Sequence, residues 1–252
     1  MAFILVLVGC SSDLQPIIEC ESAFGITVDC RFDAPEDLVV GPGGEYLIVS
    51  QLGGSLVGYR ISDRDIIQLF PTDERPPAEW GDPACSFPDH FSPQGIDLER
   101  RDDGRYQLLV VNHGGRESVE FFEVLAERVL VWRGCVEGPK DSFFNDLVVL
   151  RSGGFWVTHM FPKDDLIWPL IKAGVFGIDT GWVYAWSLES GFSKLPGSDG
   201  PFPNGIEKSS DERFVFINSY APGGVRKVDV TSGELVAARE MPPVDNSSWS
   251  PD

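Results

Sequence analysis

Short apolar runs separated by turns rich in Gly, Asp and Ser dominate this chain. The clearest lies at Phe143–His159, FFNDLVVLRSGGFWVTH, where β-branched and aromatic runs flank a Gly-Gly break. That pattern predicts a strand, a turn and a second strand. An Asn145–Asp146 pair stands immediately before the first run. The arrangement recurs: Glu36–Asp37 opens EDLVVGPGGEYLIVSQ, Gln94–Gly95 opens QGIDLERRDDGRYQLLVVNH, Asn204–Gly205 opens NGIEKSSDERFVFINSY, and Asp245–Asn246 opens DNSSWSPD. Successive openings are 58, 51, 59 and 41 residues apart. A repeat of that size made of a few antiparallel strands predicts the blades of a β-propeller, an all-β fold. The period-2 and continuous-strand patterns exclude helical repeats.

Further strands are predicted between the openings: Leu56–Tyr59 and Ile66–Leu69; Leu108–Asn112, Val119–Glu123 and Val129–Trp132; Trp182–Ser187; and Phe214–Ser219, Val225–Val230 and Leu235–Arg239. Pro71–Phe91 holds too many prolines for a sheet interior and reads as an ordered loop. The third repeat breaks rhythm at Ile167–Gly174, which reads as a short apolar helix or lid. Such an insertion either packs over a blade edge or shapes a pocket beside a channel mouth. After Asp245 the expected next strand is missing. The sequence is therefore expected to hold about four blades and the start of a fifth, with the blades that close the ring lying beyond it. The domain reading is 1–10 as a signal-peptide remnant, 11–29 as an N-terminal segment and 30–252 as an incomplete propeller.

The formal net charge is −19, which repels phosphate backbones and makes nucleic acid a poor partner. The N-terminus, MAFILVLVGCSS, is too short to span a bilayer. Leu7-Val8-Gly9-Cys10 is similar to a bacterial lipoprotein lipobox, although no basic segment precedes it. The expectation is export to the bacterial cell envelope, or to the periplasm or medium, with membrane contact only through a lipid anchor at Cys10. Four cysteines follow. Pairing neighbours as Cys20–Cys30 and Cys85–Cys135 is one of three connectivities, and their spacing is not that of a zinc site.

Equivalent positions on the innermost strands of propeller blades converge on the central channel. The set at the openings is Glu36, Asn145, Asn204, Asp245 and Asn246, and every member offers oxygen. Calcium takes six to eight oxygens from carboxylates, amides and water. Two carboxylates balance its charge, leaving a Lewis acid for a bound carbonyl. Taken singly, each of these residues is an ordinary turn former; recurrence at matching positions makes the set. A second set, one residue further along, is Asp37 and Asp146 with the carbonyl of Ile96. It either holds a structural ion deeper in the channel or is a pair of buried acids bonded to strand-end amides.

PEDLVV, SPQGIDL, LLVVNHGGRESVEFFEV, NDLVVL and FPNGIEKSSDERFVFINS resemble, in order, segments of the calcium-dependent six-bladed propellers of the serum paraoxonase/arylesterase family, and more distantly gluconolactonase and regucalcin. The resemblance implies catalytic calcium ligands at Glu36, Asn145, Asn204, Asp245 and Asn246, and structural calcium ligands at Asp37, Asp146 and Ile96. It also implies a water-activating histidine dyad. His113 matches the second member, but Gln94 stands where the first would be. Glutamine cannot take up a proton near neutral pH, so the catalytic group becomes His113, Gln94 and Glu36, with a carboxylate such as Glu36 a candidate base. His90 and His159 have no assigned role.

Three functions remain open. One is a calcium-dependent carboxylic ester hydrolase acting on a small lactone or aryl ester. Another is a catalytically weakened propeller that binds a ligand or partner, motivated by Gln94. The third is a non-hydrolytic relative of the strictosidine synthase type, disfavoured by the intact oxygen set. No GxSxG elbow is present, and the glycine runs follow no strand-to-helix unit, so a serine esterase or a dinucleotide enzyme has little support.

Overall fold

The computed structural model describes Gly25, residues 27–125 and residues 129–250. The chain divides into two compact units, Met1–Phe32 and Asp33–Asp252. In the first, Arg31 holds Asp29 through its guanidinium. Cys30 is disulfide-bonded; Cys20, Cys10 and the lipobox lie outside the described residues.

The second unit is a β-propeller arrangement of four blades. Blade one is a meander of β1 (Pro35–Val40), β2 (Tyr46–Gln51), β3 (Ser55–Arg60) and β4 (Ile66–Phe70). Blade two comprises β5 (Trp80–Gly81), β6 (Pro93–Arg100), β7 (Tyr106–Asn112), β8 (Ser118–Leu125) and β9 (Val129–Glu137), ordered β5-β9-β8-β7-β6. Blade three has β10 (Phe144–Val149), β11 (Phe155–His159), β12 (Trp182–Ser187) and β13 (Gly191–Lys194), and blade four β14 (Pro203–Lys208), β15 (Phe214–Ser219), β16 (Gly224–Asp229) and β17 (Leu235–Arg239). The short apolar helix expected in blade three is α1 (Ile167–Phe176).

The apolar runs are most continuous in blades two and three, which are covered on both faces by their neighbours. Ile48, Leu56 and Phe70 of blade one pack with Leu108, Val110 and Phe122 of blade two. The opposite face of blade two, with Leu109, Val111 and Phe121, packs on Leu147, Phe155 and Val157 of blade three. Val148, Trp156 and Val183 then meet Ile206, Val215 and Ile217 of blade four. Each blade-to-blade seam is thus a separate core, and together the seams fix the inner strands around the channel.

The proline-rich loop differs from its expectation at one point. Trp80–Gly81 pairs in parallel with Gly134–Cys135 of β9. The Cys85–Cys135 disulfide, Cα atoms 5.6 Å apart, fastens the same loop to β9. Gly134 has φ 147°, and a Cβ there would collide with the Trp80 carbonyl, so β5 reaches β9 only because that position is glycine.

Candidate metal-binding channel

In all four blades the register between the inner strand and the next (β1–β2, β6–β7, β10–β11 and β14–β15) shifts at the opening residues: between Pro35 and Asp37, Pro93 and Ile96, Phe144 and Leu147, and Pro203 and Ile206. A β-bulge re-aims the side chains it carries. The bulges therefore explain why Glu36, Gln94, Asn145 and Asn204 escape the ordinary strand alternation. Two glycines let neighbouring bulges touch. A Cβ on Gly95 would lie 2.5 Å from the Asn145 carbonyl and 2.6 Å from Asp146 Cα, and one on Gly205 would strike the Asp245 carbonyl.

The residues expected at the channel end are linked blade to blade. Gln94 Nε2 donates to Glu36 Oε1 at 3.2 Å, and Asn204 Nδ2 donates to Asp245 Oδ1 at 2.9 Å. Thr158 Oγ1 ties blade three to blade four by donating to the Asn204 carbonyl at 2.6 Å. Asn218, on β15, donates to the Asp245 carbonyl at 2.6 Å and to Ser247 Oγ at 3.0 Å, which holds the Asp245–Asn246 segment against β14. Glu36 is half-buried, and its pKa is raised by burial and then by the negative charge of Asp245. First and last members of the set thus feel each other.

Calcium fits this donor set on one observation. Asn204 and Asn246 each carry a buried Oδ1 with no hydrogen-bond partner, and Asn204 is 5% exposed. An orphaned buried amide oxygen costs about 1–3 kcal/mol. Asn204 carries its own beside Asp245, whose charge Glu36 feels, and a cation there satisfies both deficits, whereas the Asn246 side chain hydrogen-bonds Asp37 and lines the cavity of the second set. Among the described residues no three acidic, histidine or cysteine side chains form a metal cluster by themselves. The candidate set is instead two carboxylates and three amides.

The second set faces a cavity of about 350 Å³ lined by Asp37, Ile96, Asp97, Asp146, Glu207 and Asn246 among others. Asp37 Oδ2 accepts the Ile96 amide N–H at 2.9 Å, and Asp146 Oδ2 accepts the Ile206 N–H at 3.0 Å. Asp37 thus meets the Ile96 amide, where the sequence reading gave Ile96 a role through its carbonyl. Each acid also accepts the next N–H along its own strand at 2.8 Å. These are the strand-end amide bonds of the second alternative, and they leave further lone pairs free toward the cavity. Burial pushes Asp37 up to about 6 and Asp146 well above the usual carboxylate range, the latter helped by Asp37. Asp97, which sequence reasoning missed, belongs with them. Its Oδ2 accepts the Val149 N–H at 2.7 Å, and burial raises it to about 6.

His113 follows β7 and meets Gln94 Oε1 through Nε2 at 2.5 Å. Its Nδ1 lies 3.0 Å from Glu117 Oε2, a second residue the sequence did not single out. The ring packs 4.8 Å from Phe143, which continues through Phe161 at 5.3 Å to Phe202 at 5.1 Å. Ala173 of α1 joins Phe161 and Phe202 in one buried cluster, so the helix packs where blades three and four begin their inner strands. His159 serves the backbone: its Nδ1 accepts the Phe143 N–H at 3.1 Å, and burial pushes its pKa down to about 4.

No family model matches the chain. Over 140 residues, 51% of this chain, it is 24% identical to Mechanosensory abnormality protein 6 of Caenorhabditis elegans, and the match covers 34% of that protein. Among solved structures it is similar to a hydrazine synthase of Kuenenia stuttgartiensis (TM-score 0.53, 13% identity, 88% of this chain and 53% of that one). It is also similar to a gluconolactonase of Xanthomonas campestris (TM-score 0.53, 18% identity, 85% of this chain and 66% of that one). The chain thus spans about a third of the curated relative and a half to two thirds of these structures. At such identities the likeness is one of fold.

Proposed function

We propose that this chain is a calcium-dependent hydrolase of lactones or aryl esters, built on a six-bladed propeller of which the described residues supply four blades. The observation that carries the reading is that Glu36, at the bulge of blade one, and Asp245 repel each other, with the unpartnered amide oxygen of Asn204 beside Asp245. Glu36, Asn145, Asn204, Asp245 and Asn246 would hold the catalytic ion; Asp37, Asp146 and the backbone at Ile96 would hold a structural one. When bound, calcium polarises an ester carbonyl and lowers the pKa of water. Gln94 bridges Glu36 and His113, so a water or substrate oxygen placed there meets an amide on one side and a titratable group on either flank. Phe143, Phe161 and Phe202 supply an apolar wall that excludes bulk water from the His113 side. The gluconolactonase likeness supports a lactone as substrate class through fold alone. Export to the cell envelope is supported by the Cys85–Cys135 disulfide, which persists in oxidising compartments.

A specific observation favours a second reading. Gln94 is held at both ends of its amide and cannot act as a base, which fits a weakened propeller that binds a ligand or partner. The two readings separate in one assay. A chelator abolishes hydrolysis of phenyl acetate and of a γ-lactone, calcium restores it, and Glu36→Gln loses it; hydrolysis that survives both treatments overturns the first reading. Calcium binding without hydrolysis selects the second.

A further inference from the structure

We propose that Glu117 is a positioning residue: it makes Nδ1 of His113 the protonated nitrogen and so turns Nε2 toward Gln94 and the Glu36 end of the channel. The catalytic consequence rests on the hydrolase reading above; the assignment of the proton does not.

Glu117 lies in the turn between β7 and β8, and its side chain is 8% exposed. A carboxylate so buried needs partners, and it has three from three different segments. Oε1 accepts the N–H of Phe144, the first residue of β10, at 2.7 Å. Oε2 faces His113 Nδ1 at 3.0 Å and accepts from Lys163 Nζ, in the stretch leading to α1, at 3.2 Å. An ionised carboxylate only accepts, and so does the amide oxygen that Gln94 turns toward Nε2. A neutral ring has one proton for these two acceptors, and the buried charged carboxylate is the stronger of them. That assigns the proton to Nδ1 and has the Gln94 amide turn its NH2 group to Nε2. With Nδ1 committed, one ring edge is fixed on Glu117, a face is packed on Phe143, and the other edge is delivered to Gln94 at 2.5 Å. The outcome is a row of contacts Glu117, His113, Gln94, Glu36, with a carboxyl at each end and the candidate metal set at one of them. In serine hydrolases a buried carboxylate fixes a histidine's tautomer in the same manner, and replacing it by its amide leaves the geometry intact with the wrong nitrogen protonated.

His159 provides an internal contrast. There the Phe143 N–H donates to Nδ1, so that nitrogen is bare. The chain has three histidines, few enough to resolve each ring.

The experiment is two-bond 1H–15N correlation on the full chain labelled with 15N-histidine, at about pH 8 where histidine rings are largely neutral, with His113→Gln used to assign the signal. The expected spectrum has His113 Nδ1 protonated and His159 Nδ1 unprotonated. Glu117→Gln is isosteric. Its Oε1 keeps the Phe144 bond while an NH2 group, a donor only, replaces Oε2, so His113 Nδ1 is expected to lose its proton with His159 unchanged. Lys163→Met should leave His113 Nδ1 protonated. An unprotonated His113 Nδ1 in the unmodified chain overturns the proposal without any variant, and so does a proton that stays on Nδ1 in Glu117→Gln. Where the unmodified chain hydrolyses phenyl acetate with calcium, Glu117→Gln should lower kcat by about a hundredfold with KM little changed. A switched tautomer with unchanged kcat refutes the catalytic role. A chain that never hydrolyses ester defeats the hydrolase reading, while the spectra still decide the part played by Glu117.

Discussion

The acids of the channel cavity should make the cation-free chain lose stability as pH rises toward neutrality, and calcium should reverse that loss. Asp37 and Asp97 are raised from 3.8 to about 6 and Glu207 from 4.5 to about 7, with burial the leading cause in each. A raised carboxyl pKa means that the folded chain binds its proton more tightly than the unfolded chain does. Between about pH 4 and pH 7 each such group therefore removes stability as it ionises, by about 3 kcal/mol for each of the buried Asp37 and Asp97 and by less for Glu207, whose partial exposure lets solvent screen it. His159 acts in the opposite sense. Its folded pKa of about 4 lies below the ordinary 6.5, so it adds about 3 kcal/mol as pH rises from 4 to 6.5. Asp63, Asp103, Asp211 and Asp229 have lowered pKa values and act below this window. Asp146 and Glu36 are raised as well and act in the same direction. Asp37, Asp97 and Glu207, set against the one histidine, leave a net loss of about 3–6 kcal/mol, the lower figure allowing for acids that share one cavity and titrate in steps. For a domain of this size that is a fall in Tm of about 10–20 °C. The assay is thermal unfolding by circular dichroism of chelator-treated protein from pH 4.5 to 7.5, repeated with calcium. Calcium binds the ionised acids, so its stabilising shift should be several-fold larger at pH 7.5 than at pH 4.5. A cation-free Tm that stays flat or rises over this range, or a calcium shift equal at both ends, refutes the argument.

Most of the strands were legible because the seams between neighbouring blades bury their faces, on both sides for blades two and three, and that writes continuous apolar runs such as LLVVN and DLVVL into the chain. β5 was not, because two residues inside a proline-rich loop form a strand only where Gly134 lets Trp80 approach and Cys85 fastens the loop. β13 is short and partly exposed, with no run to betray it. The candidate site was visible through recurrence: oxygen-bearing residues precede the apolar run of each inner strand, and the structure gives each of the four blades a bulge there. The residues missed are those whose part depends on partners far along the chain. Asp97 reads as an ordinary polar position three residues after Gln94, yet its oxygen reaches Val149. Glu117, four residues after His113, acquires its meaning only when the Gly114–Gly115 turn folds it back beside Phe144. Asn218 carried no signal beyond being a polar residue in an apolar strand, and it braces Asp245 from behind.

Two further outcomes follow from the same contacts. Gly205→Ala should drive a methyl group into the Asp245 carbonyl and within 2.7 Å of Asn218 Nδ2, costing about 1–3 kcal/mol of stability and weakening calcium binding measured by calorimetry at least tenfold; an unchanged affinity would mean that Asp245–Asn246 is not part of the metal set. Gln94→His should raise kcat toward phenyl acetate about a hundredfold, the low end of what a positioned base supplies. The reason is positional: Gln94 already lies 2.5 Å from His113 and 3.2 Å from Glu36, so an imidazole placed there inherits a hydrogen-bonding partner on each side and a proton to exchange near neutral pH. If turnover does not move, the base lies elsewhere, and Glu36, whose pKa burial and Asp245 have already raised, becomes the group to which the pH dependence of kcat/KM must be assigned.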